Sequence, residues 1–292
     1  MGVTLPTVAS YQNRLAIVNS STTMTQYKKQ CKEMGICGPS LFSALPKSLP
    51  CPKLFPPDLM HLIYNTGQLM LQLFWGTIDH NKVSNKPSNW DFAILYHSDD
   101  FATFGKAVEH ASHFILTCVE DCASCNPAEK INSGYKALEY HILIFRLCTG
   151  LFYGQMPPYL YCHFCPLGSA ICIIHRRHKS KQDLLGACKN LAEFVVLYEH
   201  YYYQHKMNHL QFVRPCIHLL LHLIDKTFRV GSLTELSQWT MERTISNYEH
   251  RIQLDTNPYG NLGQEIIEQA MVNALFAMDS LLRYHDINWK RP

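Results

Sequence analysis

The chain has 292 residues, 47% of them hydrophobic and 17% charged, with a formal net charge of +3. That length holds one large domain or two ordinary ones and is enough to bury a sizeable core without staples, and that composition excludes a disordered tail. The mild positive charge permits contact with nucleic acid but excludes a strongly basic, dedicated binder.

The charge is uneven. Residues 1–57 carry Arg14, Lys28, Lys29, Lys32, Lys47 and Lys53 against Glu33 alone, and the first aspartate is Asp58. Twelve cysteines are present. The start, Met-Gly-Val-Thr-Leu-Pro, lacks the charged and apolar runs of a secretory leader, and Pro6 stands where a myristoylation site needs Ser or Thr. The thiols are therefore expected to be reduced, in nucleus or cytoplasm and not in a secreted protein.

In chain order, residues 1–44 read as a polar, partly disordered N-terminal segment, and residues 45–292 as a single mainly helical domain. Residues 45–57 hold Pro46, Pro50, Pro52, Pro56 and Pro57, which forbid a helix and predict an extended approach. Asp58 then reads as the N-cap of a helix to about Trp75. Gly76 and the polar run 79–89 read as a loop. Phe92, Leu95, Phe101, Phe104 and Val108 predict a helix over 90–117, with a break near Ser98. Asn126-Pro127 predicts a capped helix to about Tyr153. Further helices are predicted from Pro157-Pro158, over 183–203, from Arg214-Pro215 to about Phe228, over 235–252 and over 262–284. Residues 59–78 and 147–175 contain no Asp, Glu, Lys or Arg. Their scattered His, Asn, Gln and Pro residues make them buried helices rather than membrane spans, so no membrane partner is expected.

Several groups could carry chemistry. Cys122-Ala-Ser-Cys125 and Cys162-His-Phe-Cys165 are two Cys-x-x-Cys pairs, the donor set of a closed tetrahedral zinc site; the gap between them is long for such a site, and buried thiols are common in cores. His218, His222 and Asp225 share one helical face, a candidate metal face, although histidines between helices explain it as well. Arg176, Arg177, Lys179 and Lys181 form the densest basic cluster, suited to phosphate contact or to an ordinary solvated loop. Tyr198, Tyr201, Tyr202 and Tyr203 follow it; aromatics beside cations can stack on bases, but packing explains a helical apolar face equally.

Six segments occur in a distinctive order: Gly35-Ile-Cys-Gly-Pro-Ser-Leu-Phe42, Phe55-Pro-Pro-Asp-Leu-Met-His61, Asn126-Pro-Ala-Glu-Lys-Ile-Asn-Ser-Gly-Tyr135, Gln211-Phe-Val-Arg-Pro-Cys-Ile-His218, Ser237-Gln-Trp-Thr-Met-Glu-Arg-Thr244 and Asn257-Pro-Tyr-Gly-Asn-Leu262. Together they resemble the later part of fungal CACTA-type (En/Spm-like) DNA transposases. The resemblance implies a multi-helix domain like the helical insert and final helix of an RNase H-like core, with the first strands missing. Asp58 and His61 match the family's Asp-x-x-His element, and Glu242 its final glutamate. These three are the ancestral catalytic candidates; a helix cap explains Asp58 and a surface ion pair explains Glu242 without catalysis. An intact member would use Mg2+ or Mn2+ held by two aspartates and a glutamate to cut DNA. This chain, without the first two aspartates, is expected to need no cofactor and to be a catalytically incomplete remnant, with DNA, a transposase subunit or another copy of itself as partner. The alternatives are a helical protein-interaction module without nucleic-acid function, and a zinc-stabilised scaffold.

Overall fold

Pro56 and Pro57 lead directly into Asp58, where the first long buried helix begins; of the extended approach expected over 45–57, residues 45–50 and 52 lie outside the described residues, and Cys51, Lys53 and Leu54 form turns instead. The structure, a computed structural model, describes residues 7–40, 51, 53–79, 84–115, 125–249 and 257–278. They are mainly helical, and no strand occurs among them. The chain divides into two compact units, residues 1–236 and residues 237–292.

The first unit opens with α1 (Val8–Asn19) and α2 (Met24–Met34), which pack together. This segment has little hydrophobic periodicity, yet it is helical because its ends are satisfied locally. Thr7 and Ser10 form a capping box on α1, and the Thr23 hydroxyl accepts from Gln26 N on α2. The expected segment 1–44 thus contains two helices, and its residues 1–6 and 41–44 lie outside the described residues.

Helix α3 (Leu59–Trp75) is the centre of the core. Asp58 caps it, and Gly76 ends it in a left-handed conformation (φ 74°) that side chains rarely adopt. Leu59, Ile63, Leu69, Met70, Leu73 and Phe74 are wholly or almost wholly buried. The next expectation fails in part. Residues 90–97 form turns, and the helix, α4 (Ser98–Ser112), starts only at Ser98. Trp90, Phe92 and Leu95 are buried as predicted, but through tertiary bonds: Leu95 N donates to Phe74 O (2.8 Å), and Trp90 Nε1 donates to Asn85 Oδ1 (2.7 Å).

Asn126 and Pro127 do start a helix, α5 (Pro127–Lys130), and the Asn126 side chain caps it. The predicted single helix to Tyr153 is broken at Gly134, whose φ of 94° ends the following 3-10 turn. The chain restarts as α6 (Ala137–Ile142), passes through a π-turn (Leu143–Leu147), and ends as α7 (Cys148–Leu151). Helix α8 (Pro158–His175) has proline at its first position and Pro166 inside, where the missing N–H leaves a carbonyl one turn back without its helical bond. A short loop, 176–180, turns it onto α9 (Lys181–Tyr198), its main packing partner. Ser180 and Asp183 cap α9 reciprocally; these hydrogen bonds hold the Asp183 carboxyl below its usual pKa.

Arg214-Pro215 opens α10 (Pro215–Leu220), which packs on α3 and α9. The predicted helix to Phe228 is interrupted at Leu221–His222 and continues as α11 (Leu223–Val230); α12 (Leu233–Leu236) closes the unit. The two uncharged stretches thus supply much of the buried core of this unit, although Tyr153 and Tyr159 are exposed, and among the described residues no helix is long and apolar enough to cross a membrane.

Aromatic rings fill the core. Phe74 meets Phe152 and Phe164 edge-on, at 5.3 and 5.6 Å. A second group gathers Trp90, Phe92, Tyr202 and Phe212 around His209. His209 Nδ1 lies 2.9 Å from Tyr202 O and Nε2 lies 3.1 Å from Asn85 Oδ1; both partners are acceptors, so the neutral ring donates to one of them inside an apolar shell. The second unit contributes α13 (Trp239–Glu249) and α14 (Pro258–Met278).

Candidate functional site

Asp58 does two things at once. Its Oδ2 accepts from His61 N (2.8 Å), closing the first turn of α3, and lies 2.6 Å from His61 Nδ1. The carboxylate is acceptor-only, so Nδ1 carries the proton, and Nε2 is left as the working nitrogen of the ring. The Asp58 side chain is 18% exposed and that of His61 50% exposed. The pair faces a cleft of about 370 Å3, which Asn65, Arg214, Pro215 and Cys216 also line. Arg214 stands there because Pro215 holds the preceding residue extended (ψ 153°) and begins α10 at once. Burial pushes the Cys216 thiol up, offset in part by Thr66 and by Arg214.

Two segments far apart in the sequence, Phe55–His61 and Gln211–His218, therefore supply one cleft. The arrangement offers an oriented imidazole, a guanidinium for an anion, and a carboxamide. It offers one carboxylate, already committed to a backbone N–H and an imidazole, where a two-metal centre needs several converging acids. Among the described residues, no group of three or more His, Cys, Asp or Glu side chains could hold a metal ion. Glu242 is exposed on α13, in the other compact unit, and its neighbours Met241 and Ile245 on the predicted apolar stripe are exposed as well.

Replacing Asp58 with alanine removes both contacts. The expected loss is about 1–2 kcal/mol, and Asp58→Asn should keep most of it because the amide oxygen still caps. Urea unfolding of both variants checks this; equal losses would show that the carboxylate charge, not the cap, is what matters.

The basic cluster is split. Arg176, Arg177 and Lys181 are exposed at the α8–α9 turn. Lys179 is committed to the fold: its Nζ donates to the carbonyl oxygens of Ile174 and Arg176 and to Ser232 Oγ. Burial lowers its pKa, partly offset by Glu235. Of the two Cys-x-x-Cys pairs, Cys122 lies outside the described residues, while Cys162 and Cys165 are free thiols on α8. His218 Nε2 and His222 Nε2 lie 3.1 Å apart; Asp225, across the break, pairs with Lys226 (3.6 Å).

Sequence reasoning missed Asn65 and Arg214 as lining groups. The signal for Arg214 was its place before a helix-opening proline. It also missed a stacked pair, His141 on His175 (4.3 Å), beside Arg146. Burial, then His175 and Arg146, push the His141 pKa down to about 2. No family model matches this chain, and no curated protein or solved structure matches it.

Proposed function

We propose that this chain is a helical module derived from the later part of a fungal CACTA-type DNA transposase, which binds nucleic-acid phosphates without cutting DNA on its own. The observation that carries the reading is the shared cleft. Two of the segments on which the resemblance rests meet there, and they bring Arg214 beside the oriented Asp58–His61 pair. A guanidinium and a carboxamide are donors that a phosphodiester takes. The exposed Arg176, Arg177 and Lys181 supply a second cationic contact within the same unit. Cleavage needs more acids than the cleft gathers.

The test is a duplex DNA incubated with the chain in Mg2+ or Mn2+. The expected outcome is retarded but intact DNA, with retardation weakened in Arg214→Ala. Nicking that disappears in Asp58→Asn or Glu242→Gln would make the chain a working nuclease and overturn the reading.

A helical protein-interaction module is the second reading, favoured by the second unit. Met271 and Leu275 on α14 are 61% and 66% exposed, and Ile266, Ile267, Val272 and Phe276 are exposed with them. Apolar surface of that kind marks a contact with another protein. Leu275→Lys should abolish any concentration-dependent association seen by sedimentation while leaving DNA retardation unchanged; loss of both would join the two readings.

A further inference from the structure

His218 lies in the last turn of α10, and His222 stands at the start of α11. The two imidazoles are four residues apart in the chain, with His218 exposed and His222 half-buried. Their ring centroids are 4.9 Å apart and the planes meet at 74°, yet Nε2 lies only 3.1 Å from Nε2. The rings therefore turn these two edges toward each other, at the surface and within reach of solvent. In the neutral rings one Nε2–H donates to the other's lone pair. When that proton leaves, two nitrogen lone pairs meet at one point, which is the arrangement of a chelate. Two nitrogens 3.1 Å apart, each about 2.0–2.1 Å from one ion, subtend roughly 95–100° there, between the right angle of an octahedral or square site and the tetrahedral angle. Small rotations of the two rings aim both lone pairs at that ion. Burial, with His218 and Lys226 nearby, lowers the His222 pKa, and Asp225 offsets this in part. The ring is therefore neutral at neutral pH, and its lone pair is available to a metal. Among the described residues no third His, Cys, Asp or Glu completes a metal group, so water takes the other positions.

We propose that His218 and His222 chelate one divalent first-row transition metal through their Nε2 atoms, with water on its remaining positions. Imidazole selects Zn2+, Cu2+ and Ni2+, whereas Mg2+ and Ca2+ take oxygen ligands. The pair shares no residue with the Asp58 cleft. The site goes beyond the phosphate contacts proposed above and needs none of them.

Calorimetric titration of the full chain with Ni2+ at neutral pH tests it. Ni2+ is the probe because thiolates, abundant in this chain, select Zn2+ and Cu(I) instead. Losing a ligand costs at least what losing a supporting group does, so His218→Ala and His222→Ala should each weaken Ni2+ binding about ten-fold or more. The double variant should do no worse than either single one, because one imidazole left alone forms no chelate. His218 is exposed, so its replacement leaves the core untouched. His178→Ala, at another exposed histidine, is the control and should bind Ni2+ as the unaltered chain does. Mg2+ should give no heat and should not compete. Arg214→Ala should leave Ni2+ binding unchanged, which separates failure here from failure of the phosphate reading. Undiminished Ni2+ affinity in His218→Ala or His222→Ala, an equal fall in His178→Ala, or Mg2+ binding as tight as Ni2+ would overturn the proposal.

Discussion

Phe74→Ala is expected to remove about 3–5 kcal/mol of folding stability, a large share of the roughly 5–15 kcal/mol that a domain commands. Phe74 is fully buried on the inner face of α3. Its ring meets Phe152 at 81° and Phe164 at 81°, edge-on geometries that add about 0.5–1.5 kcal/mol each beyond the area buried. Its carbonyl also accepts from Leu95 N, so the backbone around it is pinned and cannot collapse into the space. Truncation therefore loses transfer energy, ring contacts and packing against a cavity that stays open. Phe114, 74% exposed at the end of α4, is the control: Phe114→Ala should change stability by about 0.5 kcal/mol or less. Guanidinium unfolding of the two variants checks the pair. Equal effects would mean that α3 is not the centre of the core.

Acid should unfold the protein through its buried imidazoles. In the unfolded chain a histidine protonates near pH 6.5, whereas burial, with His175 and Arg146 close by, lowers the folded value for His141 to about 2. Between those limits the unfolded state holds the extra proton. Stability is therefore fully present above pH 6.5 and falls as the pH drops, by about 1.4 kcal/mol per unit for His141 alone. Burial lowers His163, His175 and His209 in the same direction, so they steepen the slope in the upper part of that window. From pH 7 to pH 5 the His141 contribution alone amounts to about 2 kcal/mol. Unfolding measured at each pH gives the slope directly. His141→Leu should flatten it whatever it does to stability at pH 7; an unchanged slope would mean that His141 is protonated in the folded protein.

What the sequence disclosed follows from how locally each feature is determined. Helix α3 was legible from end to end, because the proline run, the Asp58 cap and Gly76 lie within or beside it. The turn over 90–97 was not. Phe92 and Leu95 have helical spacing, but their conformation is set by Asn85 and by the Phe74 carbonyl, partners that periodicity does not see. The break at Gly134 was readable in principle and was overridden by the apolar pattern on either side of it. α1 and α2 carried their caps in plain sight at Thr7, Ser10 and Thr23, while their weak periodicity argued for disorder.

The candidate site was half legible. Asp58 and His61 entered through the resemblance, and their contact follows from sharing one helix turn. Arg214 reaches the same cleft from α10, and no local pattern links it to Asp58. Lys179 reads in sequence like Arg176 and Arg177; three acceptors at a helix end distinguish it. The buried histidines were beyond sequence reading altogether, because sixteen histidines look alike until burial separates them.

The Arg214 cleft and the Arg176–Arg177 turn make phosphate contact the central claim, and a salt titration of duplex binding tests it most directly. With about three to four cations engaged, the logarithm of the binding constant should fall linearly with the logarithm of salt concentration, with a slope of about −3. Arg214→Ala should reduce that slope by about one. Affinity that stays flat from low to high salt, or a slope untouched by Arg214→Ala, would contradict the account.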